Sequence, residues 1–280
     1  MKTAQRMNPI PLEDNFTDVI GKAQRGLRVS DGDLARQAGI SGDDLAKFKS
    51  GAFDAAVAKK LAGVLQLGGD ALVELGQKSW YPEAQEVAGL ACYNTTYEDM
   101  TVNSYLVFDP QGRQAAVFDT GSTADGPLSY ALANQLKIEL VLITHAHRDH
   151  IADLTRLVKT TGAPAYAGEL EKFRDAETFA AGKTFHLGKL KIESRQTSGH
   201  ARGGITYVVT GLSRRLAIVG DALFAASMGG GAVSYEEALR TNRKEIFSLP
   251  DDTIICPGHG PLTTVGEQKK HNAFYPEFRK

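Results

Sequence analysis

Apolar residues along the chain follow a helical period first and a strand-like pattern later. Leu34, Ala35 and Ala38 predict a short helix from Asp33. Gly39-Ile40-Ser41 then reads as a turn, with Ser41 placed to cap a helix over 42–49 that turns Leu45 and Phe48 inward. Val57, Leu61, Val64 and Leu65 share one face of a helix over 54–67, and Asp70 is placed to cap a last helix through Leu75. From about residue 86 the texture changes. Runs at 103–108, 115–118, 138–143, 205–209, 215–219 and 253–256 predict strands. Helical stretches at 127–136, 151–160 and 235–248 interleave with them. Residues 1–85 thus read as a small helical domain and 86–280 as an α/β layered domain, with Tyr81-Pro82-Glu83 as the linker.

At 280 residues and 42% hydrophobic content, the chain has room for one large domain or two unequal ones. The formal net charge of -1 gives no global electrostatic case for nucleic acid or membrane. No apolar run approaches the roughly 18 residues of a membrane-spanning helix. The opening MKTAQRMNPIPLEDNF has no apolar core of a secretory signal, and the two cysteines, Cys92 and Cys256, make no disulfide framework. The expected location is the cytoplasm.

Four polar clusters stand just past a strand or in a Gly-bounded loop. They are Thr144-His145-Ala146-His147-Arg148-Asp149-His150, Thr197-Ser198-Gly199-His200-Ala201-Arg202-Gly203-Gly204, Val219-Gly220-Asp221, and Pro257-Gly258-His259-Gly260-Pro261. Imidazole and carboxylate are ligands for zinc, iron or manganese. His145 and His147 flank a one-residue spacer, so both can reach one ion from an extended turn. Asp149 and His150 are adjacent and point elsewhere, which suits two ions. Asp221 is the leading candidate to bridge them.

HxHxDH followed by Gly-His, Gly-Asp and Pro-Gly-His-Gly, in that order, resembles the metallo-β-lactamase superfamily over residues 90–280. The resemblance implies an αββα sandwich with the metals at one edge of the sheets. It assigns His145, His147 and His200 to one metal, Asp149, His150 and His259 to the other, and Asp221 to both. It casts Asp119, in Asp119-Thr120-Gly121, as the residue that orients the histidine loop by hydrogen bonds. Within the superfamily the chain is most similar to the glyoxalase II-like hydrolases, on the strength of Gly220-Asp221-Ala222-Leu223-Phe224 and the tail from Cys256 to Asn272. Asp149 argues against a true β-lactamase. The implied activity is a metal-dependent hydrolase that uses a metal-bound hydroxide on a small-molecule thioester such as an acylglutathione. Its cofactors would be two divalent metal ions, zinc first, with iron or manganese as alternatives, and Asp149 and Asp221 would be the catalytic carboxylates. The basic residues of the longer C-terminal region of the better-known glyoxalase II proteins map to no position here, and Lys269, Lys270 and Arg202 are the nearby candidates to hold a substrate carboxylate. The alternative within the superfamily is an iron-dependent persulfide dioxygenase.

Residues 29–67 resemble the helix-turn-helix domains of the phage-repressor (Cro-type) family, which raises a metal-domain-containing transcriptional regulator as a further alternative. Between Arg28 and Lys78, however, seven cations face seven anions, and the recognition helix would open on Asp43 and Asp44. That balance argues against DNA binding through residues 1–85 and favours a packing or homodimer-forming role.

Overall fold

Side-chain alternation along the strands sorts the chain into layers. In a computed structural model, which describes residues 9–279, strands β1 (Leu90–Tyr97), β2 (Met100–Phe108), β3 (Gln114–Phe118), β4 (Lys137–Leu142), β5 (Ala165–Gly168) and β6 (Glu177–Phe179) form one sheet in chain order. Strands β7 (Thr184–Leu187), β8 (Leu190–Gln196), β9 (Ile205–Thr210), β10 (Leu216–Gly220), β11 (Ile254–Pro257) and β12 (Thr263–Thr264) form the second, in the order β12-β11-β10-β9-β8-β7. On β3, Ala116 and Phe118 face the other sheet while Ala115 and Val117 face outward. On β10, Leu216 and Ile218 face inward while Ala217 and Val219 face outward. The period of two therefore supplies both a core between the sheets and an apolar outer face on each.

Helices must cover those outer faces. On the first sheet this is done by α6 (Asp125–Ala133) and α8 (Leu154–Thr161), through Ala131, Leu154 and Leu157. On the second it is done by α9 (Tyr235–Glu245) and α10 (Val265–His271), with help from the N-terminal helices α1 (Phe16–Leu27), α2 (Asp31–Ala38), α3 (Gly42–Lys49), α4 (Ala55–Val64) and α5 (Gly69–Gln77). One cluster of buried side chains runs from Leu34, Phe48, Leu61 and Leu72 to Val219, Ile255 and Val265. The result is the αββα sandwich that the resemblance implied, with a helical segment ahead of it.

Several expectations are refined. The helix expected over 151–160 is split into α7 (Arg148–Ile151) and α8, because Asp153 turns aside to accept the Ala124 N–H at 2.8 Å. Helix α5 begins a residue before Asp70, which pairs with Lys59 at 2.9 Å and does not cap. Helix α1 is not singled out by the pattern above. Its start is nevertheless written in a capping box, with Asn15 accepting from the first turn and Asp18 accepting the Asn15 N–H at 2.9 Å. The linker region is tied down. Trp80 stacks on His271 with ring centroids 4.4 Å apart, and Glu83 donates its N–H to Glu267 at 2.8 Å. His271 is thus a packed residue, held by Glu74 at 2.8 Å as well. Among the described residues no helix is long and apolar enough to cross a membrane.

Candidate metal centre

All the strand ends that carry chemistry open on one edge of the sandwich. Asp119 follows β3, the His145–His150 loop follows β4, His200 follows β8, Asp221 follows β10 and His259 follows β11. Close approach is possible because two positions lack a side chain. A Cβ on Gly220, whose φ is +51°, would lie 2.4 Å from Thr144 Oγ1. One on Gly258 would lie 2.1 Å from Asp221 Oδ1 and 2.6 Å from His150 Cε1.

The structure brings the seven expected ligand residues into two groups, His145, His147, His200 and Asp221 in one and Asp149, His150 and His259 in the other. Within each group one ligand atom per residue lies within 4.8 Å of the others. Asp221 stands between them. Its Oδ2 is 3.3 Å from His200 Nε2, 3.7 Å from His145 Nε2 and 3.4 Å from His259 Nε2, and its Oδ1 is 3.3 Å from His150 Nε2. Asp149 Oδ2 lies 3.3 Å from the Nε2 atoms of both His150 and His259.

The ring atoms facing away are held by acceptors. His150 Nδ1 donates to Asp119 Oδ2 at 2.8 Å, His259 Nδ1 to Thr101 O at 2.6 Å, and His200 Nδ1 to Gly229 O at 2.8 Å. Thr144 gives its hydroxyl to Asp119 at 2.8 Å, which leaves Thr144 Oγ1 to accept from His145 Nδ1 at 3.0 Å. In each of the four rings Nδ1 is thus held from outside and Nε2 is the atom turned to the centre. His147 presents Nδ1 instead, 3.0 Å from His145 Nε2 and 3.1 Å from His200 Nε2.

The electrostatics demand positive charge here. Burial works against a charged His150 ring, yet the Asp221 and Asp119 carboxylates hold it up to about 10. Burial likewise opposes charge on His259, and Asp221 and Asp149 raise it to about 11. Burial also resists ionisation of Asp221, but His150 and His259 keep its carboxyl well below the usual range. His145 is driven well below its ordinary value by burial and by the neighbouring His150, against the pull of Asp221. His150 Nε2 and Asp221 Oδ1 are buried without a hydrogen-bond partner among the described residues. Such orphaned donor and acceptor atoms cost about 1–3 kcal/mol each. A pair of divalent cations would satisfy both, so the donor set fits the metals that the fold implies.

Other residues support the edge without any motif to reveal them. Glu171, buried between two loops, accepts the Ala146 N–H at 2.9 Å and the Gly203 N–H at 2.7 Å. Asn103 donates to Pro257 O at 3.0 Å and Gly260 O at 2.8 Å, and Tyr105 donates to Pro257 O at 2.6 Å. The N-terminal segment also reaches the site, since Gly260 packs against the backbone of Glu13 and Phe224 sits edge-on to His259 below Lys22. By contrast, Lys269 pairs with Asp251 at 2.6 Å, while Lys270 and Arg202 are exposed.

Residues 97–192 match the model of the metallo-beta-lactamase superfamily. An uncharacterized protein of Mycobacterium tuberculosis is 29% identical over 210 residues, covering 62% of this chain and 93% of that protein. Hydroxyacylglutathione hydrolase GloC of Haemophilus influenzae is 26% identical over 197 residues, covering 61% of this chain and 92% of that protein. Among solved structures, ETHE1 from Myxococcus xanthus superposes with a TM-score of 0.58 at 24% identity, covering 68% of this chain and 84% of that one. The order of the motifs and the αββα layering agree with these matches: the chain carries a domain of the metallo-β-lactamase superfamily, whose fold implies divalent metal ions, and the two groups of converging side chains are the candidates to hold them.

Proposed function

We propose that the protein is a two-metal hydrolase of thioesters, of the hydroxyacylglutathione hydrolase kind, with zinc the first expectation at both positions. The observation that carries this reading is Asp149, whose carboxylate sits 3.3 Å from both His150 and His259 and completes a second group of three donors beside the first. The 26% identity to a hydroxyacylglutathione hydrolase supports the thioester part. Bound there, the two ions would lower the pKa of a water from about 15.7 toward roughly 7 and polarise the carbonyl under attack.

The protein's own residues have separable roles in this scheme. Asp221, which stands between the two groups, and Asp149, in the second group, would supply the negative charge that two bound cations need. Asp119 holds His150 through Nδ1 and the His145 loop through the Thr144 N–H at 2.8 Å. Thiolate is a good leaving group, so no side chain is required as a strong general acid.

The test is metal quantification on purified protein together with hydrolysis of S-lactoylglutathione. Two metal ions per chain with turnover, lost in His147→Ala and Asp221→Ala while the fold survives, is the expected result. One iron per chain, with oxygen uptake on glutathione persulfide and no thioester cleavage, would replace this reading with the dioxygenase.

A further inference from the structure

Next to the centre, α1 and the loop at 229–232 enclose a cavity of about 300 Å³, to which the helix contributes Lys22, Arg25 and Gly26. The loop presents a run of unspent donors. The N–H of Gly229 bonds to Asp221 O at 3.1 Å, and those of Val233 and Ser234 bond to Gly199 O at 2.9 and 3.0 Å. Between them, the N–H groups of Gly230, Gly231 and Ala232 meet no acceptor among the described residues. Successive free backbone N–H groups around a concavity make an anion-binding nest.

The charge of the cavity is one-sided. Lys22 is already engaged, paired with Asp14 and donating to Met228 O at 2.8 Å, and this contact fastens the loop to α1. Arg25 is exposed, and its guanidinium has no carboxylate partner among the described residues. No acidic side chain lines the cavity. The same loop touches the metal centre, because Gly229 O accepts from His200 Nδ1 at 2.8 Å. An anion seated on Arg25 and the three N–H groups would therefore lie one residue along the chain from the group that orients a ligand histidine.

We infer that this cavity is a substrate subsite for a carboxylate, and that the N-terminal helix makes the enzyme selective for acidic thioesters. The inference rests on the thioester reading above and gives it a substrate class. A guanidinium fork with backbone N–H donors matches the two oxygens of a carboxylate, and a charged pair of this kind outlasts solvent competition better where part of it is enclosed. The cations expected from the sequence to do this, Lys269, Lys270 and Arg202, do not line the cavity.

The test uses the metal-loaded full chain and three probes: S-methylglutathione, which has no thioester to cleave, S-lactoylglutathione, and the neutral lactoyl thioester of N-acetylcysteamine. Arg25→Ala should weaken calorimetric binding of S-methylglutathione about tenfold and cut the preference for the charged thioester over the neutral one by a similar factor, through KM. Arg25→Lys should recover part of both. Binding that is equally strong in Arg25→Ala, or absent from the wild-type protein, overturns the subsite. Turnover of both thioesters with an unchanged preference in Arg25→Ala also overturns it and leaves the thioester reading intact. Arg25-dependent binding with no turnover of either thioester supports the subsite and sinks the thioester reading instead.

Discussion

Asp119 Oδ2 lies 2.8 Å from His150 Nδ1, so a carboxylate buried beneath the site sets the direction in which a ligand imidazole faces. Its other oxygen accepts the Thr144 N–H at 2.8 Å. Asp119 has a φ of +54°, a conformation that asparagine also tolerates, so Asp119→Asn tests the charge and acceptor pattern without new backbone strain. The amide must turn either its NH2 toward His150 and the Thr144 hydroxyl or its NH2 toward the Thr144 N–H, a donor against donors in both cases. The expected result is a roughly 10–100-fold loss of metal affinity with native secondary structure. Chelator competition followed by metal analysis reads this directly, and wild-type retention of both ions would rule out the orienting role.

Gly258→Ala should destroy the centre with a single methyl group. The added carbon would lie 2.1 Å from Asp221 Oδ1 and 2.6 Å from His150 Cε1, distances that neither can relieve while buried. Loss of bound metal with a native far-ultraviolet spectrum is the expected outcome. A variant that loads two ions and turns over normally would show that the loop yields more easily than this geometry allows.

Glu171 fastens the His145–His150 loop to the His200 loop with one carboxylate, and Glu171→Gln converts one of its two acceptors into a donor. One buried backbone N–H is then left unpaired, at a cost of about 1–3 kcal/mol in stability. Because the two loops supply three of the four residues in the first ligand group, the first ion should also become easier to strip. Denaturant melts with and without metal separate these effects, and unchanged stability in both conditions would count against the tie.

The N-terminal helices should not bind DNA. Arg36 is paired with Asp33 at 2.6 Å, Lys49 with Asp31 at 2.8 Å and Lys59 with Asp70 at 2.9 Å. These pairs hold cations that phosphate contacts would need, and α3 still opens on Asp43 and Asp44. Fluorescence anisotropy on the full chain with random duplex should show no binding at low salt. A sub-micromolar complex whose affinity falls steeply with salt, by the roughly -0.9 slope per phosphate contact, would restore the regulator reading.

Legibility divides along physical lines. The candidate ligand set could be proposed because metal chemistry restricts residue type and the loops are short, so His145, His147, Asp149 and His150 stand close together in the chain. Strands such as β10 and β11 were visible because they are buried on both faces and read as unbroken apolar runs. Glu171, Asn103 and Lys22 were not legible, since each acts on a backbone carbonyl or N–H, and backbone partners leave no mark in a sequence. The contribution of α1 to the site edge was hidden for a related reason. The sequence separates Lys22 from Met228 by 206 positions, and only packing against the second sheet joins them.

That packing has a titratable anchor away from the metals, in Glu74. Burial opposes its ionisation, but hydrogen bonds from Arg279 at 2.6 Å and His271 at 2.8 Å prevail and hold its carboxyl below the usual range. A carboxyl lowered in the folded state stabilises the protein above its unfolded pKa, near 4.3, and that stability is lost as pH falls through the lower folded value. Glu74→Gln should therefore cost about 1–2 kcal/mol at neutral pH, and the gap to the wild type should close below about pH 4. Thermal melts of both proteins across pH measure that gap. A gap that stays constant into acid would mean that Glu74 acts by shape and not by charge in joining α5 to the C-terminal segment.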